Sequence, residues 1–81
     1  MKPINQIMFS ELQAYLTEKD CFGMTVHKKE NVLIYTFLRY YNKKNLSLSV
    51  LVSRKTKHVI SVKSGDTVYT DFDELKELVE K

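Results

Sequence analysis

The stretch 32–53, VLIYTFLRYYNKKNLSLSVLVS, constrains the fold more than any other. It holds two apolar runs rich in β-branched and aromatic residues, joined by Asn42-Lys43-Lys44-Asn45. Its second run has a period of two, with Leu46, Leu48, Val50 and Val52 on one side and Ser47, Ser49, Leu51 and Ser53 on the other. Two such runs across a short polar link read as an antiparallel hairpin. A hairpin with one apolar face needs a further layer to cover it.

The rest of the chain supplies that layer. Ile4, Ile7, Met8, Leu12, Tyr15 and Leu16 recur at helical spacing, so a helix is expected over residues 5–19, entered at Pro3 and stopped before Gly23. Residues 23–29 alternate weakly and end at a tight turn, Glu30-Asn31. Strands are expected over 23–29, 32–41, 46–53, 58–63 and 67–70, with Ser64-Gly65-Asp66 as a strong turn signal. Residues 72–80 read as a second helix with an apolar stripe of Phe72, Leu75, Leu78 and Val79. Asp71 and Glu74 form a capping-box pattern at its start. The order α-β-β-β-β-β-α gives an α+β fold: an antiparallel meander of about five strands with both helices on one face.

Register follows from the turns. Pairing Tyr41 with Leu46 sets Phe37 against Val50 and Tyr35 against Val52. The turn at Glu30-Asn31 sets Val26 against Tyr35 and Met24 against Phe37. Met24, Val26, Leu33, Tyr35, Phe37, Tyr41, Leu46, Leu48, Val50 and Val52 then form the core face. Thr25, His27, Ile34, Thr36, Leu38, Tyr40, Ser47, Ser49 and Leu51 form the outer face, mixed in polarity as on a sheet side that meets water. Arg39 falls on the core face beside Leu48, where it is expected to snorkel out at the sheet end.

The 81 residues are read as one domain, 1–81, with room for one modest core. Cys21 is the only cysteine, so no internal disulfide forms. It reads as a small buried hydrophobe, and the chain as one suited to a reducing compartment. The first residues lack the pattern of a signal peptide, and no apolar run approaches a membrane span. The expected location is cytoplasmic, in the host cell if the chain is phage-encoded.

The charge is polarised. Residues 28–63 carry Lys28, Lys29, Arg39, Lys43, Lys44, Arg54, Lys55, Lys57 and Lys63 against Glu30 alone. Residues 64–81 carry six acids against Lys76 and Lys81. In a meander the turns at Glu30-Asn31 and at residues 54–57 share one end of the sheet. Lys28, Lys29, Arg54, Lys55, Lys57 and His58 are therefore expected to gather into a basic pole, with Lys43 and Lys44 at the opposite end. Such a pole suits phosphate or an acidic protein surface.

Catalytic patterns are missing. The chain has no phosphate-binding glycine loop, no CxxC and no recognisable Ser/His/Asp spacing. His27 and His58 fall near strand ends, and two histidines do not make a metal site. No enzymatic activity, cofactor or metal is expected. Base stacking needs aromatic rings on an open sheet face beside positive charge, and here Tyr40 is the one ring assigned outward. An α-β-β-β-α skeleton also resembles double-stranded RNA-binding domains, but their lysine cluster at the second helix is replaced by Asp71-Phe72-Asp73-Glu74.

The segment KHVISVKSGDTVYTDFDELKELVEK, residues 57–81, resembles the second half of an SH2 domain. In that family a strand with a histidine leads through a turn and a tyrosine to a helix of the form F-x-x-L-x-x-L-V. His58, Tyr69, Phe72, Leu75, Leu78 and Val79 follow this outline, and Leu48-Ser49-Val50 is similar to the preceding strand. The resemblance spans at most half the chain and implies phosphopeptide binding. It departs from the family at the phosphotyrosine-binding arginine: Phe37-Leu38-Arg39 is one residue short of the Phe-Leu-Val-Arg signature.

Size, charge and the lack of catalytic residues lead to one expectation. The chain is a small non-enzymatic binding module acting by stoichiometric protein–protein contact, of the size class with which phages and mobile elements inhibit host proteins. Its partner is expected to be acidic. Ile34, Leu38, Tyr40 and Leu51 are the candidate outer-face contacts, for a partner or for a homodimer. The alternative is nucleic-acid or phosphate-ligand binding through the basic pole, with no role at a membrane.

Overall fold

A computed structural model describes residues 2–40 and 45–81. A 3-10 turn, Ile4–Gln6, precedes helix α1, Phe9–Glu18. Strands β1 (Phe22–Lys28), β2 (Val32–Arg39), β3 (Leu46–Ser53), β4 (Val59–Ser64) and β5 (Thr67–Tyr69) follow, then helix α2, Phe72–Val79. The strands form one antiparallel sheet in the order β1-β2-β3-β4-β5. The expected α+β meander is the observed fold.

Both helices cover the same face. Leu33, Phe37, Leu48, Val50, Val52 and Val62 of the sheet are buried in one cluster with Leu12 and Leu16 of α1 and Phe72, Leu75 and Val79 of α2. Phe9 stacks on Tyr35 with ring centroids 4.0 Å apart. The outward strand positions carry no covering element among the described residues.

The β2–β3 register differs from expectation by two residues. Tyr35 faces Val50, Phe37 faces Leu48, and the last pair is Arg39 with Leu46. The connection is therefore residues 40–45 rather than the four residues 42–45. A shift of two keeps every side chain on its own face, so the inward set of Leu33, Phe37, Leu48, Val50 and Val52 is indeed buried. Tyr41, Lys43 and Lys44 lie outside the described residues.

Strand β1 departs further. Val26 pairs with Tyr35 as expected, but a bulge between Gly23 and Thr25 moves Met24 out of step. Met24 is 56% exposed and Val26 42%, so neither belongs to the core. The helix layer ends over β2, where Phe9 meets Tyr35, and leaves the inner side of β1 open. The bulge also brings Phe22 opposite Leu38 and so onto the outer face, 50% exposed.

Arg39 does not snorkel. It is 2% exposed, and Nη1 donates to the carbonyls of Val79 at 2.9 Å and Lys19 at 3.3 Å. The last carbonyls of a helix lack intrahelical donors. A buried cation beside two such ends is satisfied where it lies and does not need water.

The N-terminal helix starts later than periodicity suggests, because the first residues act as strand-like ties. Phe72 N–H donates to the Lys2 carbonyl and Ile4 N–H to the Thr70 carbonyl, both at 2.8 Å. Val59 N–H donates to the Ile7 carbonyl at 3.0 Å and Phe9 N–H to the Lys57 carbonyl at 2.8 Å. Ile4 and Ile7 are thereby fully buried. The helix stop is also earlier than Gly23. Asp20 N–H donates to Thr17 and Cys21 N–H to Leu16, with Asp20 at φ 64°, which is a Schellman closure. Asp71 sits in extended backbone before α2, yet its side chain makes no capping bond, unlike the expected box. The turn at Gly65 is as expected: Ser64 pairs with Thr67, and Gly65 has φ 60°.

Candidate binding surfaces

The basic pole is assembled by backbone acceptors. Arg54 Nη1 donates to the Lys29 carbonyl at 2.9 Å, and Arg54 N–H to the Asn31 carbonyl at 3.1 Å. These bonds tie the β3–β4 turn to the β1–β2 turn. Lys57 Nζ donates to the Arg54 carbonyl at 3.0 Å, from a backbone at φ 67°. Lys28, Lys29, Arg54, Lys55 and Lys57 are all exposed there, with Glu30 among them. His58 is half-buried and forms a bridge with Met8 at the edge of the cluster.

The outer sheet face holds the expected Ile34, Leu38 and Leu51, and Tyr40 directly follows the last residue of β2. Tyr40 is 57% exposed and the three aliphatics are half-buried. Cross-strand pairing joins Ile34 to Leu51 and to His27, and Leu38 to Ser47. The structure adds Phe22, Lys63 and Val68, which sequence alternation did not place. Phe22 was hidden by the bulge. Lys63 and Val68 follow from the pairings Ser49 with Lys63 and Lys63 with Val68.

Charge separates the two layers. No strand contains an aspartate or glutamate. The acids lie on the helices or in turns, except Asp71, the extended residue before α2, and six of them fall from Asp66 onward. On the helix side, Tyr15 donates to Glu80 Oε2 at 2.5 Å and meets Phe72 edge-on. Burial of the Tyr15 phenol raises its pKa well above the ordinary tyrosine value, and the hydrogen bond and negative charge of Glu80 raise it further. Lys76 lies 4.7 Å from the Phe72 ring centroid. This cluster joins α1 to α2 and has the character of packing.

The third surface is the free side of β1. All seven of its residues are exposed. Beside it lies a shallow recess of about 240 Å3 lined by Gln13, Met24, Val26, Tyr35 and neighbouring residues. No sequence signal pointed here, since Met24 and Val26 alternate as core positions do.

Among the described residues, no three His, Cys, Asp or Glu side chains are grouped to hold a metal ion. No helix there is long and apolar enough to cross a membrane. Cys21 is buried. The Phe37-Leu38-Arg39 segment offers no exposed guanidinium to a phosphotyrosine, because Arg39 is buried against helix carbonyls. No protein-family model, curated protein or solved structure matches the chain.

Proposed function

We propose that this chain is a non-enzymatic binding module that acts by stoichiometric contact with another protein through the outer face of its sheet. The observation that carries this is the make-up of that face. Phe22, Ile34, Leu38 and Leu51 lie on strands that hold no acid, with serines and threonines between them, and the exposed Tyr40 directly follows β2. An apolar patch rimmed by polar groups is the usual mark of an interaction surface. His27 and Lys63 on the same face favour a partner with an acidic surface. A module of this size acts by covering a site on its partner, as an inhibitor does.

The test is recovery of a partner by the tagged chain from a lysate of its native host. Wild type is expected to retain one protein at fixed stoichiometry. Leu38→Asp combined with Leu51→Asp should lose it while remaining folded. Equal recovery by that variant would remove the face from the mechanism, and self-association through the face would make the partner a second copy.

A second reading, phosphate or nucleic-acid binding, is supported by the carbonyl ties that hold Arg54 beside Lys29. Such binding should weaken steeply between about 50 and about 200 mM salt. Lys28→Glu, Lys55→Glu and Lys57→Glu together should abolish it. Failure of DNA and RNA, single- and double-stranded, to bind at low salt removes this reading.

A further inference from the structure

We propose that β1 is a docking edge for an extended segment of the partner protein, which adds as a sixth strand. The segment is apolar at alternate positions and acidic at the end that lies over the basic pole. This rests on the reading of the chain as a protein-binding module and names a second contact that such a module would use.

The two edges of the sheet are unlike. Strand β5 is three residues long, and its continuation is taken by the chain's own start, where Pro3 bridges Asp71 and Ile4 N–H donates to Thr70. Strand β1 is seven residues long, exposed at every residue, and among the described residues neighbours β2 alone in the sheet.

Hydrogen-bond parity shows which groups face outward. Lys29 N–H donates to the Val32 carbonyl at 2.9 Å, which makes that pair a bonded one. Antiparallel pairs alternate between bonded and non-bonded. Lys28 with Leu33 and Val26 with Tyr35 are therefore non-bonded pairs. The N–H and C=O of Val26 and Lys28 consequently point away from β2, at the two-residue repeat that an incoming strand requires. The bulge is confined to Met24, so the stretch from Thr25 to Lys28 remains regular.

Side chains supply the selectivity. Met24 and Val26 present apolar surface beside the recess that Gln13 and Tyr35 help to line. The strand then runs directly into Lys28 and Lys29, with Arg54 held on the Lys29 carbonyl. Lysines on an edge discourage indiscriminate pairing and favour a segment that brings carboxylates to that end. A second copy does not meet this need. Antiparallel pairing of two copies about Val26 sets Met24, not an acid, across from Lys28.

The experiment is selection of a random peptide library of about ten residues on the purified chain. Enriched peptides are expected to alternate apolar residues and to carry Asp or Glu at one end. A synthetic copy should shift the amide resonances of Val26 and Lys28. Val26→Pro removes an outward N–H that bonds nothing within the sheet and should weaken the peptide by at least about tenfold. If Val26→Pro fails to fold, Lys28→Glu with Lys29→Glu decides, with the same loss expected at an unchanged melting temperature. No enrichment, enrichment without acids, or undiminished binding by a folded variant overturns the proposal. So does a dimer that Val26→Pro abolishes, which would put a second copy at the edge. Leu38→Asp with Leu51→Asp should leave peptide binding intact. A partner lost with that pair but retained by Val26→Pro would uphold the module and sink the edge.

Discussion

Arg39 donates to the carbonyl of Val79, the last residue of α2, at 2.9 Å. The same nitrogen reaches Lys19, the C-cap of α1, at 3.3 Å. One strand residue thus holds the ends of both helices against the sheet. Arg39→Met keeps the apolar stem but strands buried carbonyls, which costs about 2–4 kcal/mol. Arg39→Lys keeps one donor and should lose about half as much. Urea unfolding at unchanged slope checks both.

Tyr15 carries a pH dependence of definite sign. Its phenol titrates higher in the fold than in the unfolded chain, because burial and Glu80 both disfavour the phenolate. The unfolded value is about 10. The stability that Tyr15 contributes is therefore complete below that pH and is lost as pH rises through it toward the folded value. Tyr15→Phe keeps the ring contacts with Phe72 and Lys76 and removes the proton. Between about pH 9 and 11, unfolding free energy should fall less steeply in Tyr15→Phe than in wild type.

Asp20 closes α1 in a left-handed conformation at φ 64°. Glycine adopts that conformation without the steric cost of a Cβ. Asp20→Gly should raise stability by about 0.5–1 kcal/mol, read as a higher melting temperature. A decrease would show that the aspartate side chain has a role of its own.

Leu48 and Leu51 test the facing of the sheet with one chemistry. Leu48 is in the core and Leu51 is half-buried on the opposite side. Leu48→Ala should cost about 3 kcal/mol, and Leu51→Ala under about 1 kcal/mol. Equal losses, read from urea midpoints, would mean that something covers the outer face in solution.

The meander, its strand order and the inward Leu33, Phe37, Leu48, Val50 and Val52 were legible in the sequence because alternation in β3 and the signals at Glu30-Asn31 and Gly65 are local. The β2–β3 register was not legible to the residue. Its connection is polar throughout, so pattern alone does not say where pairing stops; a two-residue error survives since it flips no side chain. Met24 and Val26 were misplaced, and Phe22 was left unplaced, for a different reason. A bulge leaves no mark in composition, and alternation does not reveal that a helix layer ends one strand short. Arg39 was legible as a misfit but not in its solution, which depends on two helix ends that are distant in sequence. That the turns at Glu30-Asn31 and Arg54 share one end of the sheet was legible from the meander, while the Arg54 bonds that fasten them together were not. The edge of β1 had no signal at all.

The ties at Lys2, Ile4, Ile7 and Phe9 have a consequence in time. Their acceptors and donors are Lys57, Val59, Thr70 and Phe72. A ribosome delivers the first set well before the second, because the two are far apart in sequence. Ile4 and Ile7 must therefore wait, solvated, until almost all of the sheet has been made. Contacts between such distant positions close slowly. Residues 2–9 are thus expected to be among the last of the fold to settle, and packing should complete only once residues 57–72 have left the exit tunnel.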